Sequence, residues 1–238
     1  MSDQPKIPAQ HRSAEVDAFL RDLRRAPSPR ARGGRGRLIF ALDATASREL
    51  SWDRACRIQG EMFDATSALG GLDVKLVFYR SFSECKASRW LGSAADLHRA
   101  MRSVSCVGGE TQIERVFNHA LAETKQQRVN ALVFVGDAME ESVDKLCQLA
   151  GELGLKGVPV FIFHEGDDAI AARAFQQIAK LSRGAYLRFD LASADHLKEL
   201  LAAIAVYATG GYRALTDYSG DKGGDVLRLM RQLAPDKT

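Results

Sequence analysis

From residue 38 onward, short apolar runs alternate with longer stretches of helical period. The runs lie at 38–42 (LIFAL), 74–79 (VKLVFY), 131–135 (ALVFV), 158–163 (VPVFIF) and 185–189 (AYLRF). Strands this uniformly apolar are buried on both faces, as in a parallel sheet covered by helices. Between them, apolar residues recur at three- and four-residue spacing over 52–69, 94–101, 112–125, 142–153, 169–181 and 194–207, which predicts amphipathic helices. Gly70-Gly71, Gly154 and Gly184 stand where C′ glycines would end three of these helices. The segment 82–91 (FSECKASRWL) follows the second run with no room for a crossover helix, so it must return antiparallel. Its Glu84, Lys86 and Arg89 suit an exposed edge. The predicted fold class is α/β: a Rossmann-like three-layer α/β/α sandwich with a mainly parallel six-stranded sheet and one antiparallel edge strand.

The first 37 residues break this pattern. Residues 13–25 have one apolar face (Val16, Phe19, Leu20, Leu23) and Ser13 as N-cap, enough for a short helix. Residues 26–37 (APSPRARGGRGR) are Pro, Gly and Arg, a linker composition. The expected division is a basic N-terminal arm and linker at 1–36, a domain at 37–209 and a polar C-terminal tail at 210–238 with a short helix at 226–233.

Charge sharpens that division. The 238 residues carry 33 Lys+Arg and 30 Asp+Glu, a net +3. Nine basic residues against four acidic ones within 1–37 make that segment +5, leaving −2 for the rest. The arm therefore suits an acidic protein surface, RNA or DNA, although Phe19 is its one aromatic residue. No apolar run is long enough for a membrane span, and the first residues lack the apolar core of a signal peptide. Cys56, Cys85, Cys106 and Cys147 are spread singly, with no C-x-x-C pair. They read as reduced thiols of a cytoplasmic protein. No H-E-x-x-H, G-x-x-x-x-G-K-[ST] or G-x-S-x-G motif occurs.

Ligands of open α/β sheets bind beyond the carboxyl ends of the strands. The first strand is followed by Asp43-Ala44-Thr45-Ala46-Ser47 and the 131–135 strand by Gly136-Asp137. Gly108-Gly109-Glu110-Thr111 opens the helix between them. Carboxylates and hydroxyls are hard ligands that suit Mg²⁺ or Mn²⁺ and not zinc. Each residue also has a structural role open to it. Asp43 and Ser47 could cap or turn the first helix, Thr111 could be the N-cap of a Thr-Gln-Ile-Glu capping box, and Asp137 could cap the next helix.

The order Asp-x-Thr-x-Ser, Gly-Gly-x-Thr and strand-end Asp resembles the metal-ion-dependent adhesion site of von Willebrand factor A (VWA) domains, over about residues 37–207. Thr45 stands where that family usually has Ser. The resemblance, to an intracellular bacterial-type member, implies one Mg²⁺ or Mn²⁺ held by Asp43, Thr45, Ser47, Thr111 and Asp137. It further implies a protein partner whose Asp or Glu completes the coordination, within an intracellular complex, and no catalysis. Gly109, Glu110, His164 and Glu165 are the expected partner-binding rim. A weaker resemblance, to haloacid-dehalogenase-type phosphatases, would make Asp43 a nucleophile. It lacks the second Asp, where Thr45 stands, and offers only Lys125 as the balancing cation.

Overall fold

The computed structural model describes residues 35–48, 71–189 and 194–221. The arm helix at 13–25, the helix at 52–69, Cys56 and the helix at 226–233 lie outside them. Six strands form one sheet: β1 (Gly36–Asp43), β2 (Leu72–Arg80), β3 (Glu84–Ala87), β4 (Ala131–Gly136), β5 (Val160–Glu165) and β6 (Ala185–Phe189). Their order is β3-β2-β1-β4-β5-β6, all parallel except β3. The antiparallel segment is shorter than 82–91: it comprises β3 and a single bridge from Leu91 to Val74.

The described helices are α1 (Ala94–Arg102), α2 (Ile113–Gln126), α3 (Val143–Leu155), α4 (Ala169–Leu181) and α5 (Ala194–Asp221). Alternation along β1 divides the core. Leu38, Phe40 and Leu42 pack with α1 and α5, and Ile39 and Ala41 pack with α2, α3 and α4. Asp43 continues the second series and so faces the α2 side. Among the described residues, no helix is long and apolar enough to cross a membrane.

Helix ends differ from the sequence expectation in two ways. Gly154 and Gly184 are not C′ residues. Gly157 (φ 73°) and Arg183 (φ 59°) take the left-handed position, and the following N–H groups of Val158 and Gly184 bond Leu153 O and Ala179 O. A Cβ at Gly154 would lie 2.5 Å from Leu181 O, and one at Gly184 1.9 Å from Val160 O, so these positions need Gly for close backbone approach. The last helix also outruns its expected end at 207. It continues to Asp221 across a break at Gly211 (φ 72°), and Leu215 is buried against the sheet. The boundary expected at 209 thus falls inside α5, because apolar residues beyond it still find core to bury.

At the amino end of the sheet, the side chain of Arg35 ties the end of the linker to the domain. Its guanidinium pairs with Asp73 (2.7 Å) and donates to Leu72 O (2.7 Å) and Gly92 O (3.1 Å). Beside it lies a buried charged group. Glu123 of α2 accepts from Lys75 Nζ (2.6 Å), Trp90 Nε1 (3.0 Å) and Arg37 Nη2 (3.4 Å). The Arg37 guanidinium lies 3.9 Å from the Trp90 ring centroid.

Candidate metal centre

The sheet order reverses direction at β1, between β2 and β4, and the carboxyl ends there form the cleft such a switch point creates. The cleft measures about 190 Å³ and is lined by Asp43, Thr45, Ser47, Thr111 and Asp137, with Gly108, Gly109 and Glu140. All five expected ligands are therefore brought together. A larger groove of about 380 Å³ between the ends of α3 and α4 gathers no such set of oxygens.

Each side chain has a local reason for its place. Asp43 ends β1 at 1% exposure, in register with Tyr79. Its Oδ1 accepts from the Thr45 N–H (2.7 Å) and its Oδ2 from the Tyr79 hydroxyl (2.9 Å). Burial and nearby Asp137 push its carboxyl above the usual range, and hydrogen bonds from the Thr45 side chain and N–H and from Tyr79 oppose that rise. Tyr79, wholly buried against this carboxylate, is held well above its ordinary value. The turn that Asp43 stabilises brings Thr45 Oγ1 and Ser47 Oγ within 3.1 Å of each other.

Thr111 is not an N-cap. Gln112 occupies the cap position of α2 and makes no side-chain cap bond there. Its amide instead donates to Arg80 O (3.1 Å) and Ser81 O (3.0 Å). The capping carboxylate comes from the loop after β4, where Glu141 accepts from the N–H groups of Ile113 and Glu114, both 2.8 Å. Its neighbour Glu140 accepts from Thr111 N–H (2.9 Å) and donates its own N–H to Thr111 Oγ1 (3.0 Å). These bonds tie the loop bearing Asp137 to the one bearing Thr111. Glu141→Ala, which removes the cap, is expected to cost about 1–2 kcal/mol in denaturant unfolding.

Gly109 is fixed by its neighbours. A Cβ there would fall 2.2 Å from the Ser81 carbonyl oxygen, so the Thr111 loop lies against the β2–β3 turn only with Gly. Gly109→Ala is expected to lower stability by about 1–3 kcal/mol, read as a fall in thermal midpoint, because backbone must move to admit the methyl.

Asp137 does not cap α3, which Ser142 caps through Lys145 N. Its Oδ1 is buried without a hydrogen-bond partner. A carboxylate oxygen in that state, beside two hydroxyls and a second carboxylate, is what a divalent cation would satisfy. The donor set fits Mg²⁺ or Mn²⁺. Among the described residues no group of three or more His, Cys, Asp or Glu could hold a metal, so the hydroxyls are essential to this set.

The expected rim needs correction. Gly109 lines the cleft, and the exposed Glu110 adjoins it in sequence, its N–H donating to Ser81 O (3.3 Å). His164 does not: it is 0% exposed, bonded to Tyr186 Oη (2.9 Å) and Asp137 O (3.2 Å). Burial lowers its pKa. Glu165 is half-buried and paired with Arg48. His164 is covered by Tyr186 of β6 and Phe175 of α4, so it supports the Asp137 loop from behind. Tyr79, Arg48, Glu140 and Glu141 are the contributors that sequence reasoning missed. Tyr79 carried a signal, a polar tip ending an apolar strand; the two glutamates follow Asp137 after Ala138 and Met139.

No protein-family model matches this chain, and no curated protein matches it significantly. Solved structures do. The SpRpn10 VWA domain is 13% identical at a TM-score of 0.57, covering 74% of this chain and 97% of that one. Proximal thread matrix protein 1 of mussel byssus, solved with a zinc-occupied MIDAS motif, is 14% identical at 0.53, with 73% and 45% covered. Manganese-loaded TRAP of Plasmodium vivax is 15% identical at 0.52, with 71% and 73% covered. The chain thus spans less than half the length of the mussel protein. At these identities the likeness is one of fold: this chain has the fold of a VWA domain.

Proposed function

We propose that this VWA-type fold serves as a divalent-metal-dependent docking module for a protein partner. Asp43, Thr45, Ser47, Thr111 and Asp137 would hold Mg²⁺ or Mn²⁺. The bound ion would supply an open position that attracts an Asp or Glu of the partner. The supporting observation is Asp137 Oδ1, buried and unpartnered beside a hydroxyl pair 3.1 Å apart. Hard oxygens of this kind select hard cations. Zinc and manganese are named for two proteins of similar fold, which supports a divalent ion here without choosing one.

The chain's own residues do the remaining work. Tyr79 and the Thr45 N–H orient Asp43, and Glu140 orients Thr111. Gly109 borders the cleft where the partner would approach, with the exposed Glu110 next to it in sequence. Among the described residues, Cys85, Cys106 and Cys147 are not joined in disulfides, in keeping with a cytoplasmic setting within a complex. The arm, at +4 over residues 1–36, would add an acidic or nucleic-acid contact. Phosphoryl transfer gains nothing from the geometry. No lysine lines the cleft, and Lys125 sits near the far end of α2, roughly 18 Å along from Ile113.

The test is affinity capture from the protein's own cell extract, in Mg²⁺ and in EDTA, with wild type and Asp43→Ala. Partner retention is expected for wild type in Mg²⁺ alone, with the variant folded but empty-handed. Equal capture in EDTA would overturn metal-mediated docking. Steady Mg²⁺-dependent turnover of an aryl phosphate, lost in Asp43→Asn, would favour the phosphatase.

A further inference from the structure

Among the described residues, five large apolar side chains are left in water. Leu155 and Leu181 end α3 and α4, and Ile170 stands near the start of α4. Phe82 (73% exposed) and Val107 (42%) lie elsewhere, on the two segments that meet at Gly109 in the cleft wall. Phe82 is the middle residue of the turn 81–83 between β2 and β3. Ser81 before it takes a left-handed φ of 55°, which residues other than Gly seldom adopt.

The turn is braced in that form. Ser81 O accepts from Glu110 N–H (3.3 Å) and the Gln112 amide (3.0 Å), Ser83 O accepts from Arg115 (2.6 Å), and Arg80 donates to Ser105 O (2.7 Å). Val107 is tied to the other wall, its N–H donating to Ala44 O (3.0 Å) between Asp43 and Thr45. A Cβ on Gly109 would fall 2.4 Å from Ser81 Cα, so Phe82 Cα lies within about 8 Å of Gly109 Cα. Val107, two residues before Gly109, is at most about 7 Å from it.

We infer that Phe82 and Val107 select the docked protein: its metal-binding Asp or Glu has an apolar side chain within about three residues. This rests on the docking function proposed above and gives that function a specificity. An exposed aromatic costs nothing by itself, but one held on a strained, braced turn has little freedom left to lose when a partner covers it. Covering it removes apolar area from water beside a polar centre, the composition of an energetic interface core. The charges on the same hairpin are paired among themselves, Glu84 with both Arg80 (3.0 Å) and Lys86 (2.7 Å). The spacing sets the partner's pattern. An extended peptide advances roughly 3.4 Å per residue, so a carboxylate in the cleft and a side chain over Phe82 belong to near neighbours in one segment. Two side chains offer too little apolar area to hold a lipid surface, which takes a whole amphipathic face or an acyl chain.

The test is selection of a displayed random-peptide library on the immobilised full chain in Mn²⁺, with elution by EDTA. Wild type is expected to return peptides carrying Asp or Glu with Leu, Ile, Phe or Met within about three residues. Phe82→Ser is expected to keep the acid and lose the apolar neighbour. A synthetic peptide from the wild-type pool should bind Phe82→Ser and Val107→Ser about tenfold more weakly in fluorescence anisotropy. Leu155→Ser, equally exposed but at the end of α3 just ahead of β5, should bind it as wild type does. Acid enrichment without an apolar neighbour would overturn the selectivity and leave metal docking standing. Apolar peptides retained equally in EDTA would show a site independent of the ion and overturn it too. A parallel fall in Mn²⁺ affinity of Phe82→Ser, read by calorimetry, would place the effect in the metal site instead. Binding of phosphatidylcholine–phosphatidylserine vesicles that falls in Phe82→Ser would replace the protein partner with a lipid surface. A wild type that returns no EDTA-eluted peptide would remove docking itself, and this selectivity with it.

Discussion

Asp137→Asn is expected to weaken Mn²⁺ binding at least ~100-fold while leaving the metal-free fold as stable as wild type or slightly more so. Loss of a partner that only orients a ligand already costs 10–100-fold in affinity, and loss of one of two charged oxygen donors exceeds that. The metal-free protein gains for the opposite reason. Asp137 Oδ1 is buried without a partner, and its charge raises the pKa of Asp43. Removing that charge relieves a repulsion while preserving shape. Calorimetric titration of Mn²⁺ checks the first part and thermal unfolding in EDTA the second. Unchanged Mn²⁺ affinity would remove Asp137 from the ligand set. A large loss of stability in EDTA would show instead that its carboxylate is structural.

Glu123→Ala, at the opposite end of the sheet, is expected to cost about 3 kcal/mol. For a chain of this size that is a fall of roughly 6–12 °C in thermal midpoint. Glu123 is 9% exposed and is the carboxylate that accepts from Lys75, Arg37 and the Trp90 indole. Lys75 is 9% and Arg37 7% exposed, so truncation strands two nearly buried cations with a lone indole donor. The deleted apolar surface is small, so the loss comes from uncompensated charge. A double variant, Glu123→Ala with Lys75→Met, should recover part of the stability. Urea unfolding measures both, and a single-variant loss below about 1 kcal/mol would place the group with ordinary surface pairs.

The two variants separate function from stability by position. Just beyond the carboxyl end of β4, Asp137 carries an unpartnered buried oxygen beside the Asp43 carboxylate, which costs stability and gives the cleft its chemistry. The amino end, where Arg35 pairs with Asp73 and Glu123 pairs with both Arg37 and Lys75, holds its charge in ion pairs. A partner at the cleft would thus meet the protein at the end opposite the arm's attachment.

Much of this was written locally in the chain. Runs such as LIFAL and ALVFV report strands buried on both faces because each must pack on both sides. The absence of crossover length after Tyr79 requires β3 to turn back, since a parallel return needs a dozen residues or more. Asp43, Thr45 and Ser47 share one turn, so their convergence is also local. Thr111 and Asp137 are legible because each directly adjoins a strand end or helix start. What neighbouring elements do to these residues could not be read the same way. His164 and Glu165 looked like a rim from the chain, yet lie behind the site, because helix and strand neighbours cover the end of β5. Thr111-Gln112-Ile113-Glu114 has the pattern of a capping box, yet Glu141 reaches across from another loop and takes the N–H groups that such a box would satisfy. Tyr79 on Asp43, Glu123 between Arg37 and Lys75, and Arg48 on Glu165 join residues 36 to 117 positions apart. Periodicity and turn chemistry act over a few residues and are carried by the chain itself. Charge compensation acts through space, so it was decided only when the sheet order placed those side chains together.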